Sequence, residues 1–357
     1  MRLGKRSFEF ENSINILSGY SIVGPKEAEG NFGKEFDIAL TDDLWEEKSY
    51  EKCECKMHRE AIKGAIKKAG IETENVDLIL AGDLLNEISA SNFAAREFNC
   101  SFLGLYNACS TFGEAIIIAS IFLNSGNFET ISCSTSSHFS SAERQYRFPL
   151  ELGNQRTPTA QWTVTGAGCA VLSRKSRETV KSNVQAVKTE KVDAINSFEV
   201  RVTSATIGRV IDMGIEDESN MGAAMAPAAA DTLITHFKET GRAPSYYDAI
   251  LTGDLGLYGK ELLVFILKDE GVTLPDYYED CGAVYFKEEQ KCVQGGSGAG
   301  CSSTAFCSHF LNKLMRGELK KVLLVPTGAL LNKDTPLQKE TIPSIAHAVA
   351  FESFEIK

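Results

Sequence analysis

Apolar side chains recur at Ile62, Ala65, Ile66 and Ala69, and again at Leu233, Ile234 and Phe237. This three-and-four spacing predicts two amphipathic helices, over about 57–69 and 228–240, each stopped by a glycine, Gly70 or Gly241. A short, almost unbroken apolar run follows each and closes on Gly-Asp, at 77–82 and 248–253. Such runs predict strands buried on both faces. A second helix is predicted after Cys109 and after Cys301, ended by Gly126 and Gly317, with strands at 130–133 and Lys321–Val325 behind them. Strands alternating with helices predict an α/β protein with a largely parallel sheet covered on both sides.

The pattern is used twice. D-L-I-L-A-G-D-L at 77–84 and D-A-I-L-T-G-D-L at 248–255 stand 171 residues apart, as do Gly70 and Gly241. Cys109 and Cys301 are 192 apart, Leu123 and Met315 also 192, and Gly126 and Gly317 191. Two blocks repeated in the same order predict two homologous halves, 1–185 and 186–357, whose corresponding turns face one another. In open α/β sheets ligands sit beyond the carboxyl ends of the strands, which is where the Gly-Asp corners and Cys-Ser turns belong.

Composition narrows the function. A chain of 357 residues exceeds one simple core, and 43% hydrophobic with 24% charged residues is ordinary for a globular protein. A net charge of −11 argues against a nucleic-acid partner and against unaided binding to an anionic membrane. The apolar stretch at 115–123 is shorter than the roughly 20 residues of a membrane span, and no export signal opens the chain. Ten irregularly spaced cysteines then read as reduced thiols. C-E-C-K-M-H (Cys53, Cys55, His58) looks like half a metal site, but no second cluster completes it, so neither a metal nor a cofactor is expected.

Cys109, in N-A-C-S-T-F-G-E, opens an apolar helix. A helix N-terminus favours a thiolate, and the N–H groups of residues 110–113 could receive an oxyanion. The alternative is a packed small thiol. Asp254 is either a pocket residue or a helix cap. Cys301 carries the same ambiguity as Cys109. His347 is either a pocket imidazole or a core histidine, whereas His236 and His309 fall inside helical runs and read as structural. S-S-H-F-S-S-A-E-R-Q-Y-R-F-P (136–149) brings Ser137, His138, Arg144, Tyr146 and Arg147 together. Arginine forks suit carboxylates and tyrosine suits a ring, but a subunit contact or a solvated loop with a Glu143–arginine pair fits the same residues.

The paired elbows and T-V-T-G-A-G-C-A-V-L (163–172) resemble the thiolase-like superfamily of condensing enzymes. Within it, L-A-G-D-L-L-N (80–86), the 136–149 stretch, S-N-M-G-A-A-M-A-P-A-A-A-D-T (219–232), L-T-G-D-L (251–255) and K-E-T-I-P-S-I-A-H-A-V (339–349) are similar to the stage V sporulation AD family. The superfamily resemblance implies two βαβαβ-type halves layered αβαβα, and a homodimer. It also implies Cys109 at the nucleophile position, with Asp254 and Cys301 where condensing enzymes carry catalytic partners. The family resemblance implies a binding protein for dipicolinic acid (pyridine-2,6-dicarboxylate), alone or as its calcium chelate. It would support uptake into the developing spore beside stage V sporulation A membrane proteins, at the cytoplasmic face of the spore inner membrane. The ligand set expected on this reading is Cys109, Ser110, Ser137, His138, Arg144, Arg147, Asp254, Cys301 and His347. The competing expectation is an acyltransferase or condensing enzyme with Cys109 as nucleophile and His347 as base. A structural docking subunit is a third.

Overall fold

The computed structural model describes residues 1–146, 157–183 and 198–356. The first part of the chain forms β1 (Ser7–Val23), α1 (Tyr50–Ala69), β2 (Leu78–Gly82), β3 (Ser101–Gly104) and α2 (Thr111–Ser125). β4 (Thr130–Ser137), α3 (Phe139–Tyr146) and β5 (Gly166–Ser173) follow. The second part forms β6 (Phe198–Thr206), α4 (Met221–Thr240), β7 (Ala249–Thr252), α5 (Gly256–Asp269) and β8 (Tyr278–Asp280). It closes with α6 (Ala299–Ala305), which runs through a π turn at Phe306–Phe310 into Leu311–Met315, then β9 (Lys321–Val325) and β10 (Ala348–Glu355).

These ten strands hydrogen-bond in the order β8-β7-β9-β10-β6-β1-β5-β4-β2-β3, with Ile38–Ala39 as an eleventh beside β1. The order is palindromic: third, second, fourth, fifth and first strand of one set, then the first, fifth, fourth, second and third of the other. The sheet is mixed, not largely parallel, because β5 and β10 run antiparallel to both neighbours. A parallel neighbour needs a crossover back to the starting end of the strands, whereas 326–347 leads from β9 into β10 without one. The boundary expected at 185/186 lies outside the described residues.

Strand alternation builds the layers. Leu78 and Leu80 of β2 point into one core, shared with α2 and α6, while Ile79 and Ala81 point into another, shared with α1. In β9, Val322 and Leu324 join the α2/α6 core, and Leu323 and Val325 meet α4 and α5. Two helices thus lie between the sheet halves and others cover the outer faces, giving αβαβα. Gly168 of β5 permits the close central approach, since a Cβ there would lie 2.5 Å from the Ser303 carbonyl carbon.

Both outer helices start earlier than their periodicity predicts. Ser49 caps α1 by accepting from Lys52 N at 3.3 Å, and Asn220 caps α4 by accepting from Ala223 N at 3.3 Å. The extra turns of α1 bury only Cys53 and Glu54, and those of α4 mix two methionines with glycine and alanine before Pro227, so neither carries a clear apolar period. The 18 residues 108–125 are, among the described residues, the one stretch long and apolar enough to cross a membrane, and two-thirds of it is buried between the sheet halves.

Candidate functional site

The turn before α2 is built by side-chain bonds. The Asn107 N–H donates to Thr111 Oγ1 at 2.9 Å, Thr111 Oγ1 donates to the Ala108 carbonyl at 2.7 Å, and Ser110 Oγ donates to the Pro326 carbonyl at 2.8 Å. Ala108 is driven to φ 50°, uncommon for a residue with a Cβ, and this aims Cys109 into a pocket. Gly328 lets the second half approach: a Cβ there would sit 2.3 Å from the Asn107 carbonyl oxygen.

The pocket has an apolar wall of Leu84, Ala142, Met221, Ala329 and Leu331. Its polar lining is Tyr106, Glu143, Tyr146, Gln161, Thr163, Glu218, Ser219 and Ser297. Tyr146 Oη donates to the Leu84 carbonyl at 2.7 Å and stands 3.4 Å from Tyr106 Oη. Thr163 Oγ1 donates to Glu143 at 3.2 Å.

Asp254 lies behind Cys109, 1% exposed. Its carboxylate accepts from Thr327 Oγ1 at 2.6 Å, Ser297 Oγ at 2.9 Å and Gly298 N at 3.2 Å, and it also takes the Cys109 thiol. It therefore does not cap its own helix; Asp280 does, accepting from Leu255 N at 2.9 Å and Gly256 N at 3.0 Å. Burial pushes Asp254 up to about 6, against the hydrogen bonds from Thr327 and Cys109. Burial, then the negative charge of Asp254, pushes the Cys109 thiol well above its ordinary value. The Gly298 N–H and Ser297 hydroxyl pull the other way and lose. The helix-start argument predicted a lowered thiol. It fails here because burial of the thiol, with the charge of Asp254 added to it, outweighs a partial charge at a helix end.

Other expected site residues are engaged elsewhere. His347 is 4% exposed and accepts from Gly208 N at Nδ1, 3.1 Å, so the neutral ring carries its proton on Nε2, 3.4 Å from the Asn107 amide. Burial pushes it down to about 4. It is not part of the pocket lining. Ser110 serves the elbow, and Ser137 donates to the Val164 carbonyl at 2.7 Å while accepting from Gly300 N at 3.0 Å. His138 donates from Nε2 to the Asp43 carbonyl at 2.8 Å and accepts from Ser140 N at 3.1 Å. Arg144 pairs with Glu51 at the surface. Cys301 is fully buried, its sulfur 3.5 Å from the Gly253 carbonyl. None of these five lines the pocket. Arg147 lies outside the described residues.

C-E-C-K-M-H becomes part of α1. His58 Nδ1 and Glu54 both bond Ser136, at 3.0 and 3.1 Å, and His58 Nε2 meets Ser134 at 2.8 Å, all buried. No group of metal-ligating side chains stands together among the described residues. Sequence reasoning missed Tyr106, Gln161, Thr163, Glu218, Met221 and Ser297. The one local signal was Tyr106, an aromatic three residues before the elbow cysteine.

Residues 4–352 match the family described as Stage V sporulation protein AD (SpoVAD). The stage V sporulation protein AD of Bacillus subtilis (strain 168) is 39% identical over 349 residues, covering 98% of this chain and 97% of that protein. Among solved structures, human mitochondrial 3-ketoacyl-CoA thiolase in complex with CoA superposes with a TM-score of 0.58 at 11% identity, covering 97% of this chain and 99% of its own. The 3-oxoacyl-[acyl-carrier-protein] synthase III of Aquifex aeolicus VF5 gives 0.52 at 12%, covering 95% and 99%. At such identities the enzymes share the fold alone, while the family match spans nearly the whole sequence. The chain belongs to the stage V sporulation protein AD family, carried on a thiolase-like scaffold.

Proposed function

We propose that this sporulation-family protein binds dipicolinate, alone or as its calcium chelate, in the pocket of a former condensing enzyme and does not turn it over. The observation that carries this reading is the Cys109–Asp254 contact. A condensing enzyme needs a thiolate and a nearby proton carrier. Here burial and the neighbouring carboxylate hold the proton on sulfur, and the one imidazole expected as base faces Asn107 behind the elbow. The pocket that remains suits a flat ring: two tyrosines and an aliphatic wall, with Thr163 and Ser297 hydroxyls as polar contacts.

Charge shapes the ligand. Among the described residues the lining holds Glu143 and Glu218 and no lysine or arginine. A dicarboxylate would rely on the N-terminal ends of α2, α4 and α6, which begin beside Cys109, at Met221 and beside Gly298. The calcium chelate, with its charge cancelled, would meet less repulsion. On this account the protein supports uptake into the developing spore as a homodimer, beside stage V sporulation A membrane proteins at the cytoplasmic face of the spore inner membrane. The exposed edge of β3, with Leu103 and neighbouring Phe93 both open to solvent, supports the dimer.

Calorimetric titration with dipicolinate against an isophthalate control tests the reading. Saturable heat with dipicolinate alone is expected, and none at millimolar ligand would sink it. The rival acyltransferase reading predicts an acyl adduct on intact mass after incubation with acyl-CoA, lost in Cys109→Ala.

A further inference from the structure

Helix α5 is the outlier among the α-helices. Its inner side is ordinary: Leu263 and Leu267 are fully buried, and Gly259 meets α4 so closely that a Cβ there would lie 2.8 Å from Gly222 Cα. Its outer side should be polar. Instead Leu257 is 48% exposed, Tyr258 45%, Val264 41% and Phe265 71%, and no other α-helix of the described residues leaves more than one large apolar side chain exposed. Leu257 and Val264 are seven apart, as are Tyr258 and Phe265, so the four form two adjacent stripes two turns long. Leu262 and Ile266 are half-buried beside them. The Leu257 N–H donates to the Gln294 carbonyl at 3.1 Å, which brings exposed Val293 to the start of the same face. The lining of the Cys109 pocket takes nothing from α5.

The rim selects the occupant. Exposed Glu261 and Lys268 stand between the two stripes, exposed Asp269 and Glu270 with Asp276 follow at the C-terminal rim, and Lys260 is held by Glu279. An anionic lipid surface would be repelled by this rim and by the net charge of −11. A second copy would set one acidic rim against another. We propose that the outer face of α5 is a docking surface for an amphipathic helical segment of a partner protein, apolar on one side and basic along its edges. Its apolar residues, spaced three and four apart, pack against Leu257, Val264 and Phe265, and its cations face Glu261, Asp269 and Asp276.

A fluorescein-labelled 18-residue peptide of leucine and lysine at helical spacing serves as the probe, read by anisotropy with the full-length protein. Binding should be saturable, weaken with salt, and fall at least about tenfold in Phe265→Ser, the scale of losing one buried aromatic contact. Phe265→Glu distinguishes packing from charge, because it adds a carboxylate while removing the ring. Weaker binding supports docking on the apolar face, and tighter binding overturns it. Phe93→Ser, on the other sheet edge, should leave affinity unchanged, and an equal loss there would overturn the assignment. Leu257→Ser reads the same contact if Phe265→Ser lowers the urea midpoint. The proposal also falls if Phe265→Ser changes the mass found by sedimentation equilibrium, or abolishes binding to phosphatidylglycerol vesicles.

Discussion

Replacing Asp254 by asparagine should change how stability depends on pH, by an amount the structure supplies. The carboxyl rises from an ordinary 3.8 to about 6 in the fold, mainly through burial. A carboxyl whose folded value is raised binds its proton more tightly in the native state. Its stabilising contribution is full below 3.8 and is lost as pH rises through about 6. At about 1.4 kcal/mol per unit, the wild type should lose about 2 kcal/mol between pH 4 and pH 7 that Asp254→Asn does not lose. The variant also turns an amide N–H2 toward donors, but that cost is the same at both pH values. The assay is urea unfolding of both proteins at pH 4 and pH 7, taking the change in their difference. That subtraction removes the other buried acids, such as Glu27 and Glu54, which are also raised, to about 8. A gap unchanged across this range would refute the electrostatic account of the pocket.

Iodoacetamide at pH 8 should alkylate half-buried Cys55 and Cys292 before Cys109, and Asp254→Asn should speed alkylation of Cys109 by removing the charge that holds its proton; mass mapping of the adducts decides. Arg144→Ala should leave dipicolinate affinity within about twofold and cost at most about 1 kcal/mol of stability, because its partner is Glu51 at the surface; a tenfold weaker titration would return Arg144 to the pocket. Gly168→Ala should cost about 1–3 kcal/mol in urea unfolding, since its Cβ would lie 2.5 Å from the Ser303 carbonyl carbon, and an unchanged midpoint would show that α6 yields freely.

The fold was legible where hydrophobic period and glycine stops coincide. Gly70, Gly126, Gly241 and Gly317 all end their helices at positive φ, and β9 spans the predicted residues. The extra turns of α1 were invisible because they bury only Cys53 and Glu54, and Glu54 finds its partner Ser136 on β4, 82 residues away. Antiparallel β5 and β10 were equally hidden, since strand composition does not encode direction. In the site, Cys109 stands at the predicted elbow, whereas Asp254, expected as a pocket residue or a helix cap, lies behind Cys109 outside the lining, and no local pattern names it as the thiol's neighbour. Tyr106, Met221 and Ser297 reach one pocket from three distant parts of the chain, and no local pattern announces that convergence.

A crystal structure of the protein grown with dipicolinate tests the central claim most directly. The account predicts the pyridine ring between Tyr106, Tyr146 and Leu331, with carboxylates toward the starts of α2 and α6 and Cys109 unmodified. Ligand bound elsewhere with that pocket empty, or an acyl group on the Cys109 sulfur, would contradict it.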